Sequence, residues 1–321
     1  MTIKIGILGA GRWGMNHVRT AAGLVKGEMI LVCEENETQR EKVREISGDI
    51  RITGDFEEFL KSDVNAVINA LPAEMHFDTT KRCLEAGMNV LVEKPMTLQS
   101  RESEMLTKIA DDKNLKLMVG HILLYHPAVI KLKALIDEGK IGRLQYIYSN
   151  RLNLGAIRSE ENILWSFAPH DISIMQYITG SNPVSVAAKG SSFVQKGIED
   201  TTLTYLEYPE GVSAHIFVSW LHPFKEQRLV VTGDKGMLVF EDSLKTEKLK
   251  FYNKGFKVVN GSPEKFDRDF EAVDFGNAKP LEEEQKHFFD CIENDRQPLT
   301  DGRHAVEVLK ILEKATNSIK N

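Results

Sequence analysis

The sequence predicts two domains of different class: a doubly wound parallel α/β sheet, followed by an α+β domain with an open, mostly antiparallel sheet. The length of 321 residues favours two domains, at about 150 residues each. Up to about Gly120, short and almost continuously apolar runs alternate with segments of helical period, which is typical of parallel strands covered on both faces. Beyond Gly120, apolar runs follow one another through short turns. We therefore predict domains at residues 1–120 and 121–321.

The first domain is predicted as alternating strands and helices. The predicted strands are Ile3–Leu8, Met29–Cys33, Ala66–Ala70, Asn89–Val92 and Leu115–Val119. The predicted helices are Trp13–Val25, Glu37–Ile46, Phe56–Leu60, Met75–Ala86 and Gln99–Asp111. Such a repeat implies right-handed crossovers between parallel strands, and therefore helices on both faces of one sheet.

The second domain is predicted to mix helices with hairpin-connected strands. Its predicted helices are Ala128–Glu138, His170–Ile178, Leu281–Asn294 and Ala305–Ile319, of which the last is also a candidate to pack back on the first domain. Its predicted strands are Leu144–Asn153, Val184–Ala188, Thr201–Tyr208, Val212–Trp220, Arg228–Thr232, Met237–Phe240 and Leu249–Tyr252. Glycine-containing turns at residues 209–211 and 233–236 predict two antiparallel hairpins.

Composition and charge exclude several classes of protein. A hydrophobic share of 42% and a charged share of 27% are those of a soluble globular chain. The net charge of −6 argues against a nucleic-acid partner, and no run approaches the 18 apolar residues of a membrane span. Cys33, Cys83 and Cys291 are far apart, and the histidines are dispersed, so neither a disulfide framework nor a metal site is expected. We expect a cytoplasmic protein with no membrane partner.

A glycine motif follows the first predicted strand. Gly9-Ala10-Gly11-Arg12-Trp13-Gly14 is a G-x-G-x-x-G that opens a helix, and such a turn lets the backbone approach a dinucleotide pyrophosphate. The second strand ends at Cys33, and Glu34 follows it about 25 residues after the first glycine. An acid at that place accepts hydrogen bonds from both ribose hydroxyls and repels a 2′-phosphate. NAD is therefore favoured over NADP as the cofactor. Arg40 is close enough in sequence that NADP stays an alternative.

Two further motifs end strands of the predicted sheet. Ligands of open α/β sheets bind outside the carboxyl ends of the strands, so Lys94 in Glu93-Lys94-Pro95 is expected to point into the cofactor crevice. Leu71-Pro72 with His76 follows a neighbouring strand, and His76 is interpreted as structural or adjacent to the cofactor. The predicted cofactor-binding residues are Gly9, Gly11, Arg12, Trp13, Gly14, Glu34, Ala70, Leu71, Pro72, His76, Glu93 and Lys94.

These motifs resemble those of the Gfo/Idh/MocA family of NAD(P)-dependent sugar and cyclitol oxidoreductases. The resemblance also includes Gly120-His121, Pro127, Pro280-Leu281 and Pro298, and the motifs follow the family's order along nearly the whole chain. The resemblance implies that Lys94 is a catalytic or substrate-orienting residue. It also implies that His170 matches the family's histidine in a D-x-G-x-H frame. Ser166 and Ala168 stand where that frame has its aspartate and glycine, and Asp171, as a helix neighbour of His170, is not expected to replace the aspartate.

The segment between Asn150 and Trp165 narrows the resemblance to enzymes that oxidise the 3-hydroxyl of a UDP-N-acetylhexosamine or its uronic acid. Its arginines and asparagines suit a diphosphate and sugar hydroxyls. The predicted substrate-binding residues are Lys94, Arg151, Asn153, Arg158, Asn162, Trp165 and His170.

The resulting hypothesis is an NAD-dependent dehydrogenase of a nucleotide sugar. Its first candidate substrate is UDP-N-acetylglucosamine or its uronic acid, oxidised at C3. His170 is predicted as the general base and Lys94 as the group that orients the hydroxyl, although the two roles can be exchanged. Two alternatives stay open: a dehydrogenase of a free sugar or cyclitol such as inositol or glucose, and a non-catalytic NAD-binding sensor. The open antiparallel sheet predicts a homodimer or homotetramer.

Overall fold

A computed structural model describes residues 2–155, 157–158 and 161–320. The chain divides into two compact units. The first unit runs to Tyr125 and also includes Lys279–Leu309, and the second comprises His126–Ala278 and the residues from Lys310 onwards.

The first unit is built on a parallel sheet, which among the described residues has six strands. These are β1 (Ile5–Leu8), β2 (Ile30–Cys33), β3 (Arg51–Thr53), β4 (Ala66–Asn69), β5 (Asn89–Glu93) and β6 (Leu117–Gly120). Their order is β3-β2-β1-β4-β5-β6, and all neighbours pair in parallel. The connecting helices are α1 (Gly14–Leu24), α2 (Glu37–Ile46), α3 (Phe56–Leu60), α4 (Ala73–Glu85) and α5 (Ser100–Asp112). The predicted doubly wound fold is confirmed.

Local chemistry explains where these elements begin. The side chain of Asn36 accepts a hydrogen bond from Gln39 N at 3.2 Å and so caps α2, whose predicted bounds agree with the structure. Strands β1, β2, β4 and β6 are buried along their whole length, as their continuous apolar runs indicate. Strand β3 was not predicted, because it has three residues and only Thr53 is buried.

The division of the chain differs from the predicted domains in its border and in the placement of a helix. The border falls after Tyr125 rather than after Gly120, and helix α8 (Pro280–Glu293) groups with the first unit. The reason is visible in the packing of α8: Gln285 donates a hydrogen bond to the carbonyl of His17 at 3.2 Å, and Phe288 is completely buried. The division then passes through the last helix, α9 (Gly302–Lys320).

The second unit carries a mixed, mostly antiparallel sheet, with eight strands among the described residues. They are β7 (Leu144–Leu154), β8 (Ser185–Ser191), β9 (Thr201–Glu207), β10 (Ser213–Ser219), β11 (Leu221–Gly233), β12 (Met237–Glu241), β13 (Leu249–Val259) and β14 (Ser262–Ala272). Their order is β14-β13-β12-β11-β7-β10-β9-β8, with only β7 and β10 parallel. The predicted open antiparallel sheet is confirmed. Strand β14 was not predicted, because its charged sequence is exposed along almost its whole length.

Helices α6 (Pro127–Asp137) and α7 (Ile163–Thr179) belong to the second unit. The predicted start of α7 at His170 is wrong, because the helix begins at Ile163. Asn162 caps it by accepting a hydrogen bond from Trp165 N at 3.1 Å, and Pro169 lies inside the helix. A proline inside a helix removes one backbone donor and crowds the preceding turn, and the buried apolar face of α7 offsets this cost.

The two faces of this antiparallel sheet differ. On one face, Ser149 and Arg151 of β7 donate to Asp171 of α7. The opposite face carries the ring of Tyr148 stacked on His215 with centroids 5.4 Å apart, and Leu203 of β9 is 50% exposed beside them. Among the described residues, no helix is both long and apolar enough to cross a lipid bilayer.

Candidate active site

The glycine turn after β1 has the backbone geometry that its motif predicts. Gly9 has a φ of +83°, which favours glycine. A Cβ at Gly14 would lie 2.1 Å from the carbonyl oxygen of Gly9, so the helix packs against the strand end without room for a side chain. A Cβ at Gly11, in contrast, would meet no described atom within 4 Å. The turn is therefore tightly packed at Gly14 and leaves space for a ligand at Gly11.

The start of α1 suits a phosphate group. Among the described residues, no side chain caps this helix, and Gly11, Arg12 and Trp13 are exposed. Uncapped backbone N–H groups and the positive end of the helix dipole both favour an anion. The open Gly11 position and the uncapped helix therefore fit a dinucleotide pyrophosphate.

Glu34 lies at the carboxyl end of β2, next to this turn. Its carboxylate accepts a hydrogen bond from Ala10 N at 2.6 Å and another from Asn36 N at 2.9 Å. These two bonds hold the carboxylate beside the second residue of the glycine motif. Arg40 is the residue for which NADP stayed an alternative cofactor, and it forms an ion pair with Glu37.

The loop after β4 contains Ala70, Leu71 and Pro72, and Pro72 precedes α4. His76 of α4 is buried, with Nε2 at 2.8 Å from the carbonyl oxygen of Leu71 and Nδ1 at 2.8 Å from that of Pro95. Burial lowers the pKa of His76, although the two carbonyl groups oppose this. His76 therefore lies between the loops that follow β4 and β5, with one ring nitrogen near a carbonyl oxygen of each, which supports its structural interpretation.

Lys94 follows β5 directly, and its peptide bond to Pro95 is cis. The neighbouring Glu93 carboxylate accepts hydrogen bonds from Trp13 Nε1, from His17 Nε2 at 2.8 Å and from Lys94 N at 3.2 Å. Burial alone would raise the pKa of Glu93, but these bonds and the charge of Lys94 outweigh it, so the pKa lies below its usual value. Glu93 was predicted to contact the cofactor, and the structure places three protein donors around it.

Sequence reasoning missed Glu284 on α8. This residue is completely buried, and neither carboxyl oxygen has a hydrogen-bond partner among the described residues. Burial and the nearby charge of Glu93 hold the pKa of Glu284 well above its usual range, which favours the protonated carboxyl. A signal was present in the sequence, because Glu284 shares the helical stripe of the buried residues Phe288 and Cys291.

His121 lies directly after β6, one position beyond the Glu93–Gly120 pair of the parallel ladder. It is 2% exposed, and its ring meets that of His304 edge to face at 5.2 Å. Burial, with the charges of His304 and Lys94, lowers the pKa of His121 well below its usual value. The environment of Lys94 therefore includes a neutral imidazole.

In the second unit, Arg151 is held by an ion pair. Its Nε and Nη2 donate to the Asp171 carboxylate at 2.8 and 3.0 Å, and Asp171 is 1% exposed. Asp171 was not expected to replace the missing aspartate of the His170 frame, and its carboxylate binds the arginine that was predicted to bind a diphosphate. A large part of the charge of Arg151 is therefore neutralised within the protein.

Some of the other predicted substrate-binding residues have structural roles, and others do not. Asn162 caps α7, and Trp165 Nε1 donates to Thr316 Oγ1 at 2.9 Å, so both side chains have roles in the second unit. The buried Oδ1 of Asn153 has no hydrogen-bond partner among the described residues. The Arg158 side chain is 58% exposed. Positions 156, 159 and 160 of the same polar segment lie outside the described residues.

His170 lies within α7, partly buried, and its carbonyl oxygen accepts a hydrogen bond from Ser173 Oγ at 2.9 Å. Lys94 and His170, the predicted catalytic residues, belong to different units. The catalytic assignments of both residues stay predictions.

Comparison with known proteins decides the family. A model of an oxidoreductase family with an NAD-binding Rossmann fold matches residues 3–121, and a model of the GFO/IDH/MocA C-terminal domain matches residues 129–239. The chain belongs to the Gfo/Idh/MocA family. The predictions of an oxidoreductase and of a Rossmann domain that binds a nicotinamide dinucleotide are thereby confirmed.

Relatives within the Gfo/Idh/MocA family carry different substrate names. A scyllo-inositol 2-dehydrogenase (NAD(+)) of Bacillus subtilis is 27% identical over 99% of this chain and 94% of the relative. A UDP-N-acetylglucosamine 3-dehydrogenase of Acidithiobacillus ferrooxidans is 26% identical over 94% of this chain and 92% of the relative. A solved structure of the 3-dehydrogenase from that organism superposes with a TM-score of 0.85 at 25% identity, covering 98% of this chain and 97% of the other. The family is shared, and the substrates of these relatives differ.

Proposed function

We propose that this protein is an NAD-dependent dehydrogenase that oxidises a secondary hydroxyl of a sugar. The first candidate is the hydroxyl on C3 of UDP-N-acetylglucosamine or its uronic acid. The observation that carries the proposal is the position of Lys94. It follows β5 at the carboxyl edge of a parallel sheet whose glycine turn fits a dinucleotide. Ligands of such sheets bind at this edge, so a lysine there lies where a substrate beside the cofactor would bind.

The protein residues have separate roles in this reaction. Gly9, Gly11 and Gly14 shape the turn that would hold the pyrophosphate, and bound NAD would supply the hydride acceptor. Lys94 orients the substrate hydroxyl and stabilises negative charge as it develops on the oxygen. His170 accepts the hydroxyl proton as general base. In the exchanged assignment, Lys94 is neutral and accepts the proton itself.

Glu34 supports NAD rather than NADP. Its carboxylate is fixed by Ala10 N and Asn36 N, and a fixed carboxylate suits ribose hydroxyls and repels a 2′-phosphate. The guanidinium of Arg40 is paired with Glu37, which weakens its attraction for that phosphate.

A free cyclitol is the second candidate substrate, and one observation favours it. The Arg151–Asp171 ion pair removes much of the positive charge that a diphosphate would require. Arg158 and the unsatisfied Asn153 Oδ1 support the nucleotide sugar instead. The inositol dehydrogenase and UDP-sugar dehydrogenase relatives are similar to the chain in nearly equal degree.

A substrate screen tests these proposals. The purified protein is incubated with NAD and, in parallel, with UDP-N-acetylglucosamine, its uronic acid, myo-inositol, scyllo-inositol and glucose. We expect reduced cofactor, followed by absorbance, and a product two mass units lighter with a UDP-sugar. Turnover of the cyclitols alone would select the second candidate. Cofactor binding without reduction by any sugar would favour a sensor.

We also propose a homodimer or homotetramer formed through the open face of the second-unit sheet. Leu203 and Tyr205 are 50% and 43% exposed on that face, next to the Tyr148–His215 stack. A charge in the middle of a buried apolar interface is costly. Leu203→Glu is therefore expected to lower the mass in light scattering to that of one chain, and an unchanged mass would contradict this interface.

A further inference from the structure

The Glu93 carboxylate joins three parts of the first unit. It accepts hydrogen bonds from Trp13 Nε1, His17 Nε2 and Lys94 N, and its side chain is 13% exposed. Trp13 belongs to the glycine turn after β1, whereas Glu93 ends β5, and β4 lies between these two strands. A single carboxylate thus connects the turn that fits the dinucleotide to the backbone of Lys94.

The helix residues around Glu93 hold this arrangement in place. Gln285 of α8 donates to Nδ1 of His17 at 3.1 Å and to its carbonyl oxygen at 3.2 Å. His17 Nε2 lies 2.8 Å from the Glu93 carboxylate, so a proton on that nitrogen is donated to Glu93. The ring of His17 is completely buried, so the bond is shielded from water.

Two acidic side chains lie close together in this interior, and their states differ. Glu93 is the ionised one, because N–H donors and the charge of Lys94 stabilise its carboxylate. Glu284 of α8 has no hydrogen-bond partner among the described residues, and burial together with the charge of Glu93 raises its pKa. From β6, Gly120 approaches Glu93 so closely that a Cβ would lie 3.0 Å from its Oε2, and the neutral His121 follows. The charge of Lys94 interacts with the Glu93 carboxylate and lowers its pKa.

We propose that Glu93 is a positioning residue that couples the dinucleotide-binding turn to Lys94 and favours the protonated form of the lysine. The proposal extends the proposed function, since it takes Lys94 as the substrate-facing group. It replaces the expectation that Glu93 binds the cofactor directly. Glu93 acts through two neighbours: it fixes Trp13 in the turn, and it holds the backbone and the charge of Lys94 at the end of β5.

The sharpest experiment compares two conservative substitutions of these acids. In Glu93→Gln, one amide oxygen must serve the three N–H groups that now share a carboxylate, and the negative charge disappears. Glu284→Gln replaces a protonated carboxyl by a neutral amide of the same shape, which makes it the matched control. Both variants place a glutamine in the interior of the same unit.

Cofactor affinity and the ionisation of Lys94 are the two measurements. By calorimetry, we expect the NAD dissociation constant of Glu93→Gln to rise about tenfold, as the loss of a charge-assisted hydrogen bond predicts. The pKa of Lys94 is followed by competitive acetylation against pH, with mass spectrometry of the Lys94 peptide. We expect it to fall by about one unit in Glu93→Gln, because an adjacent negative charge favours the ammonium form. Glu284→Gln should change the dissociation constant less than twofold and leave the acetylation profile in place.

The pH dependence of turnover gives an independent readout. The limb that reports Lys94 should move to lower pH in Glu93→Gln by the same amount as the acetylation profile. It is the falling limb if Lys94 acts as an ammonium group, and the rising limb if Lys94 is the base. A purely structural defect would lower the rate without moving either limb.

Trp13→Phe keeps the proposal testable if Glu93→Gln does not fold. Trp13 is 39% exposed, and phenylalanine removes the indole N–H while Glu93 keeps its charge. We expect about fivefold weaker NAD binding and an unmoved Lys94 profile. Unchanged NAD binding in this variant would overturn the coupling.

Two further results would overturn the proposal: an acetylation profile of Glu93→Gln equal to that of the wild type, or equal shifts in Glu93→Gln and Glu284→Gln. Failure of the dehydrogenase proposal is distinguishable from these. It would show as no turnover with any sugar, whereas NAD affinity and Lys94 acetylation need no substrate and would still report the coupling.

Discussion

The carboxyl edge of the parallel sheet and the polar segment after β7 satisfy their charged groups in different ways. At the parallel sheet, Glu34 and Glu93 each accept a hydrogen bond from the glycine motif, Glu34 from Ala10 N and Glu93 from Trp13 Nε1. In the second unit, Arg151 is paired with Asp171 of another element. The cofactor region is thus assembled from neighbouring motif residues, whereas the substrate region depends on pairings that the motif does not contain.

The largest effect is expected from Lys94→Met, which tests the proposed catalytic lysine of the cofactor region. We expect turnover to fall by about 10³-fold or more, because the charge that stabilises the developing alkoxide is lost. NAD affinity measured by calorimetry should change little. Turnover within tenfold of the wild type would remove Lys94 from the catalytic assignment.

Asp171→Asn tests whether the second region is held by its ion pair. Removing one partner leaves the Arg151 charge poorly compensated in a largely buried site, so the free energy of unfolding should fall by about 3 kcal/mol in urea denaturation. Ser149→Ala removes a neutral donor to the same carboxylate and is the control, with an expected loss of about 1 kcal/mol. Equal losses in the two variants would mean that the ion pair adds nothing to stability.

Glu34→Ala tests the selectivity of the cofactor region. We expect the ratio of NAD to NADP affinity to fall by about 30-fold, since ribose hydrogen bonds are lost and a repulsive charge disappears. Glu35→Ala, the adjacent exposed acid, is the matched control and should leave the ratio unchanged. Equal effects of the two substitutions would indicate a general loss of negative charge rather than ribose recognition.

The smallest effect, and the one that separates the candidate substrates, is expected from Arg158→Ala. If a UDP-sugar binds, its KM should rise about tenfold through loss of a charge-assisted contact to phosphate. Lys257→Ala on β13, with a similarly exposed side chain, should leave KM unchanged. A KM for the UDP-sugar that does not respond to Arg158→Ala would place the diphosphate elsewhere.

Much of the fold followed from local patterns, and the exceptions depend on packing and strand pairing that those patterns do not show. The bounds of α2 and α3 agree with prediction because apolar spacing and the capping residues Asn36 and Asp55 act within one turn. The start of α7 was missed because Pro169 resembles a boundary when the buried face of the helix is unknown. Strand β14 was missed because pairing with β13 forms it, rather than its own hydrophobicity.

The sequence by itself determined the two sheets, the glycine turn, the acid after β2 and the lysine after β5, because each depends on residues a few positions apart. Tertiary structure alone decided the states of the charged groups. Gln285 contacts His17 although 268 residues separate them, the pKa of Glu284 is raised because the residue is buried near Glu93, and Arg151 is bound by Asp171. The reason is physical: backbone conformation responds to neighbours in the chain, whereas ionisation and hydrogen bonding respond to whichever groups the fold brings within a few ångströms.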